Sequence, residues 1–212
     1  KLLVALFLSA CGGPKPHVAE NPASQRFRDV TRLFPIERMY VAQASFLKAN
    51  KDSSSDLAIL SQSKKEIFIL LNQGKKGFLK KPAGQWAQKN KEKINFLAVA
   101  DLNRDGSDDL ILIMRGRENP KAQILFNNKK GYFYSKGKEG PYKLRPGIRN
   151  VIPVDIDGDG DKDLFYFGDN IKSPKKNNNQ TMLWVNKGDG NFENLTSLLM
   201  PALPSGILGA SF

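Results

Sequence analysis

The chain has 212 residues, 33 of them basic against 21 acidic, for a net charge of +12, and it carries one cysteine and one histidine. One cysteine excludes an internal disulfide and a cysteine-built zinc site. With its one histidine near the N-terminus, at position 17, the body of the chain has neither the Cys nor the His that triad-type nucleophilic chemistry needs.

Residues 1–11 have a charged start, an apolar middle and small residues at the end. The run is too short to cross a bilayer as a helix and has the build of a signal peptide. Leu8-Ser9-Ala10-Cys11 resembles a bacterial lipobox. That resemblance implies a lipid anchor on Cys11 and a place in the cell envelope, with Gly12 after the cysteine pointing to the outer membrane. Residues 12–26 hold Gly12, Gly13, Pro14, Pro16 and Pro22 and read as a flexible tether. His17 lies there and is expected to be solvated.

Residues 27–212 are organised around acidic loops. The fullest is Asp155-Ile156-Asp157-Gly158-Asp159-Gly160-Asp161-Lys162-Asp163, with a carboxylate at every second position. Like charges crowded this way repel and resist ionising together. A hard cation removes that repulsion, and calcium takes about six to eight oxygen ligands from flexible loops. Side-chain oxygens at positions 1, 3, 5 and 9 and a carbonyl at 7 provide most of such a shell. Gly160 at position 6 permits the positive φ that lets the ligands converge. Val151, Ile152 and Val154 before the loop and Leu164, Phe165, Tyr166 and Phe167 after it read as strands. An EF-hand would need a glutamate at position 12, where this chain has Tyr166, and a helix after the loop.

The pattern occurs twice more. Asp101-Leu102-Asn103-Arg104-Asp105-Gly106-Ser107-Asp108-Asp109 lies between Leu97–Ala100 and Leu110–Ile113. A worn copy, residues 48–56, begins with Lys48 and precedes Leu57–Leu60. The first positions, 48, 101 and 155, stand 53 and 54 residues apart, the mark of a repeat architecture. Each copy has a second half in which Asn72, Asn127 or Asn186 is followed six positions later by Phe78, Phe133 or Phe192, with hairpin-turn residues between. Each repeat is thus expected to run strand, acidic loop, strand, linker, strand, turn, strand. Four strands at this period make an all-β chain of the β-propeller type, with about three blades present.

These repeats resemble the FG-GAP/VCBS repeats of integrin-like and bacterial surface propellers, through Asp101–Leu110, Asp155–Leu164 and the run 183–192. The resemblance implies calcium in the acidic loops, held by Asp101, Asn103, Asp105 and Asp109 and by Asp155, Asp157, Asp159 and Asp163. Ser107 and Asp161 would add backbone carbonyls. Lys48 departs from the pattern, so loop 48–56 is not counted as a site. Its ammonium is expected to pair with Asp52 or Asp56 in place of an ion.

Phe27–Thr31 matches Phe192–Thr196 and suggests an outer strand that closes a ring. Three blades fall short of the about four to eight that close a propeller, so the expectation is a fragment of a longer protein with further blades beyond position 212, or an open three-blade unit with exposed sheet edges. Trp86 and Trp184 are expected to pack in the core or rim, and residues 172–180 to form an exposed loop. The lysines gather in turns and linkers and read as a solvated rim whose field can attract acidic partners. The aromatics between Lys129 and Lys143 belong to a hairpin better than to a nucleic-acid platform. The expectation is a non-enzymatic, calcium-binding, lipid-anchored module for a protein or glycan at the cell surface. The alternative is the propeller part of an extracellular polysaccharide lyase or hydrolase whose active site lies beyond residue 212.

Overall fold

The computed structural model describes residues 31–35, 40–61, 66–85, 92–114, 119–136, 142–168 and 181–199. The expected signal peptide, Cys11, the tether, Trp86 and the 172–180 loop lie outside the described residues. So does the strand expected at 27–31, except for Thr31, which opens a short 3-10 turn.

The described chain is all-β. Sheet one is β1 (Val41–Leu47), β2 (Asp56–Ser61), β3 (Glu66–Asn72) and β4 (Phe78–Pro82), antiparallel and in chain order. Sheet two is β5 (Ile94–Ala100), β6 (Asp109–Met114), β7 (Lys121–Asn127) and β8 (Phe133–Tyr134), with β9 (Tyr142–Lys143) also paired to β7. Sheet three is β10 (Ile148–Val154), β11 (Asp163–Gly168), β12 (Met182–Asn186) and β13 (Phe192–Asn194), followed by the four-residue helix α1 (Thr196–Leu199). The three sheets do not close into a barrel or ring among the described residues. No helix there is long and apolar enough to cross a membrane.

The repeat extends to register. Each acidic loop joins the first two strands of a sheet and is closed by one pair: Leu47 with Asp56, Ala100 with Asp109, Val154 with Asp163. Each hairpin pairs its asparagine directly with its phenylalanine: Asn72 with Phe78, Asn127 with Phe133, Asn186 with Phe192. Each first strand also carries an irregularity near its start, at Val41/Gln43, Ile94/Phe96 and Ile148/Asn150. Sheet two differs in its outer edge, which is divided between β8 and β9. Between them the Gln123 amide donates to Ser135 Oγ at 3.1 Å and to the Ile124 carbonyl at 2.9 Å.

The second strands are continuous apolar runs, Leu57–Leu60, Leu110–Met114 and Leu164–Phe167, buried on both faces. Side chains alternate across a strand, so one run serves two cores. Leu110, Leu112 and Met114 pack with Ala58, Leu60, Ile67 and Ile69 of sheet one. Ile111 and Ile113 pack with Val151, Leu164, Tyr166, Met182 and Trp184 of sheet three. Full burial of such a side chain contributes about 1.5–3 kcal/mol. Trp184 therefore belongs to the core, with Tyr142 and Tyr166 against it edge to face at 4.9 and 5.4 Å between centroids. The sheets thus stack in chain order, which brings the acidic loops of successive sheets within side-chain reach of one another.

Candidate metal centre

In loop 155–163 one carboxylate oxygen from each of Asp155, Asp157 and Asp159 lies within 4.8 Å of the others. The loop's own amides hold them inward. Asp155 accepts from the Gly158 and Gly160 amides at 2.8 and 2.9 Å, and Asp157 from the Asp159 amide at 3.3 Å. Asp159 accepts from the Asp161 amide at 2.8 Å. Gly158 and Gly160 have φ of 80° and 88°, the left-handed region where a β-carbon is disfavoured. The donors are hard oxygens, partly or fully exposed, which suits calcium rather than a soft metal.

Loop 101–109 curls the same way. Asp101 accepts from the amides of Asp105 at 3.1 Å and Gly106 at 2.8 Å, and Asp105 from that of Ser107 at 2.9 Å. The Asn103 amide donates to Asp105 Oδ2 at 3.3 Å, and Lys129 Nζ stands 3.6 Å from the same oxygen. This loop brings two carboxylates and one amide oxygen where the later loop brings three carboxylates. In loop 48–56 the position-1 side chain is Lys48, which cannot accept. No ion pair joins Lys48 to Asp52 or Asp56 among the described contacts. Instead the Lys48 amide donates to Asp108 Oδ2 at 2.6 Å and its carbonyl accepts from the Asp108 amide at 3.0 Å.

Position 9 holds a different kind of carboxylate. Asp56, Asp109 and Asp163 are fully buried. Each spends one oxygen on the amide of loop position 2, donated by Ala49, Leu102 and Ile156 at 3.1, 3.0 and 2.8 Å. Each spends the other on the amide of Asn72, Asn127 or Asn186, at 2.8 Å in all three sheets. The clamp is present in loop 48–56 as well, so it needs no metal-ready partner at position 1. Burial pushes the carboxyls of Asp56, Asp108 and Asp163 up from the ordinary carboxylate value, against the hydrogen bonds that lower them. Burial raises Asp109 most, to about 7, with Asp105 and Asp101 adding repulsion. At position 7, Ser107 and Asp161 are both buried.

The hairpin asparagines do work that their turn position does not announce. Asn127 Nδ2 donates to the Asp108 carbonyl of its own loop at 3.1 Å and to the Ala49 carbonyl of sheet one at 3.0 Å. Asn186 Nδ2 repeats this, to the Lys162 carbonyl at 3.3 Å and the Leu102 carbonyl of sheet two at 2.8 Å. Each asparagine thus staples its sheet to position 2 of the preceding loop. Replacing Asn127 with alanine is expected to cost about 2 kcal/mol, because the buried Ala49 carbonyl and the half-buried Asp108 carbonyl lose their donor. Urea unfolding of Asn127→Ala beside the parent chain checks this, and a cost within about 0.5 kcal/mol of zero would show that the staple is idle.

The span from Asp101 in the second loop to Tyr166 in β11 matches the model of the FG-GAP-like repeat. The FG-GAP-like span contains both full acidic loops and the staple of Asn127 between them. No curated protein matches the chain.

Proposed function

We propose that the chain is a calcium-binding, propeller-like module, lipid-anchored at Cys11 in the cell envelope, that presents a surface to a protein or glycan partner and carries out no catalysis of its own. The observation that carries the calcium reading is the convergence of Asp155, Asp157 and Asp159. Bound calcium supplies the positive charge that lets these carboxylates lie together ionised. The residues of the chain do the rest. Asp155 ties the loop back on itself through two glycine amides, Asp157 and Asp159 complete the oxygen face, and Asp163 fixes the loop base to β12. The FG-GAP-like repeat supports a propeller-like arrangement of the sheets, and the lipobox-like run 8–11 supports the anchor. The lysine-rich turns suit an acidic partner.

Calorimetric titration of the chain with calcium, and separately with magnesium, tests the reading. Calcium uptake that Asp157→Asn reduces, with weak magnesium uptake, is the expected result. Equal uptake by the parent and the variant would refute the site.

A further inference from the structure

Position 4 of the acidic loops is one place where the two full copies differ. In loop 155–163 it is Gly158 with φ of 80°. In loop 101–109 it is Arg104 with φ of 54°, a backbone conformation that residues with a β-carbon rarely adopt. The Arg104 side chain leaves its own loop and crosses to the next. Its Nη2 hydrogen-bonds the Asp159 carbonyl and lies 3.8 Å from Asp159 Oδ1. Its Nε lies 2.6 Å from Asp161 Oδ1, on a carboxylate that is itself buried. Gly160 leaves room for this arm, since a β-carbon there would stand 3.0 Å from Arg104 Nη2. At the equivalent Gly106 nothing lies within 4 Å. The first of the two loops has therefore placed a fixed positive charge on the second.

We propose that Arg104 is a tethered counter-ion for loop 155–163, neutralising Asp159 and Asp161 when no divalent ion is bound and thereby setting how tightly that loop takes calcium. This rests on the calcium reading above. A guanidinium keeps its charge throughout the physiological range. Beside Asp159, one of the three converging carboxylates, it opposes the entry of another cation. Arg104 is about half exposed, with 53% of its side-chain surface accessible, so solvent screens the effect to a moderate size.

The test is a calcium titration of the full chain carrying Arg104→Gln or Arg104→Lys, with thermal melts in chelator alongside. Arg104→Gln is expected to tighten calcium binding about three- to tenfold, and Arg104→Lys to stay within about twofold of the parent. In chelator, Arg104→Gln is expected to melt about 2–4 °C lower, because Asp161 loses its partner. In the Asp157→Asn background, which disables loop 155–163, Arg104→Gln should leave the residual calcium binding unchanged. Unchanged or weaker binding by Arg104→Gln would overturn this inference while leaving the calcium site standing. No calcium uptake by any variant would overturn both, and a tightening that persists undiminished in the Asp157→Asn background would overturn it by placing the effect of Arg104 in its own loop.

Discussion

Replacing Asp109 with alanine is expected to destabilise the ion-free chain by about 3–5 kcal/mol, whereas Asp157→Ala should stay within about 0.5 kcal/mol of the parent. The contrast follows from where the two carboxylates spend their oxygens. Asp109 is fully buried, and its two oxygens accept from the Leu102 and Asn127 amides at 3.0 and 2.8 Å. Alanine leaves two amides without an acceptor where water cannot serve, and each orphaned group costs about 1–3 kcal/mol. Asp157 is exposed and accepts from the Asp159 amide at 3.3 Å, a bond that water replaces readily. Urea unfolding of both variants in chelator gives the comparison without any contribution from bound metal. Equal losses in the two would mean that position 9 carries no special structural role.

The same burial fixes a pH dependence. Ion-free stability is expected to fall by a few kcal/mol as pH rises from about 4 to about 7, since a shift of one pKa unit is worth about 1.4 kcal/mol. In the folded chain the Asp109 carboxyl is pushed up to about 7 by burial, while the unfolded chain keeps the ordinary aspartate value of 3.8. Between those values the native state holds a proton that the unfolded state has lost. The stabilisation is therefore complete below the unfolded value and gone once pH exceeds the folded one. Asp56, Asp108 and Asp163 are shifted in the same direction by the same cause, so they add to the slope. Urea midpoints in chelator from pH 4.5 to 7.5 measure the slope, and Asp109→Asn should flatten it. Stability that rises over this span would contradict the burial assignment.

Much of this architecture is legible in the sequence. The spacing of 48, 101 and 155, and the six-residue step from Asn to Phe, specify three sheets of one pattern, and the register pairs follow it residue for residue. Continuous apolar runs such as Leu110–Met114 announce strands buried on both faces. What the sequence does not announce is which side chains reach across between sheets. Asn127 and Asn186 look like turn residues, and their staples form only once two sheets have stacked. Arg104 looks like a loop charge, and its target lies 55 residues away. Asp109 and Asp163 share a ligand pattern with Asp101 and Asp155, yet burial ties both their oxygens to backbone amides. The pairing expected of Lys48 with Asp52 or Asp56 fails for a related reason. The two Asp56 oxygens serve as the clamp, and Asp108 from sheet two is the carboxylate that meets the Lys48 backbone.

The most direct measurement is a thermal melt of the full chain in calcium, in magnesium and in chelator, with Asp155→Ala beside the parent. An occupied site at one hundred times its dissociation constant adds about 2.7 kcal/mol, which raises the melting temperature by about 5–10 °C in a chain of this size. The expected result is a rise of that order in calcium, a smaller one in magnesium, and a reduced calcium effect in Asp155→Ala. A cooperative melt at the same temperature in all three conditions would contradict the account and leave the sheets held by packing, clamps and staples alone.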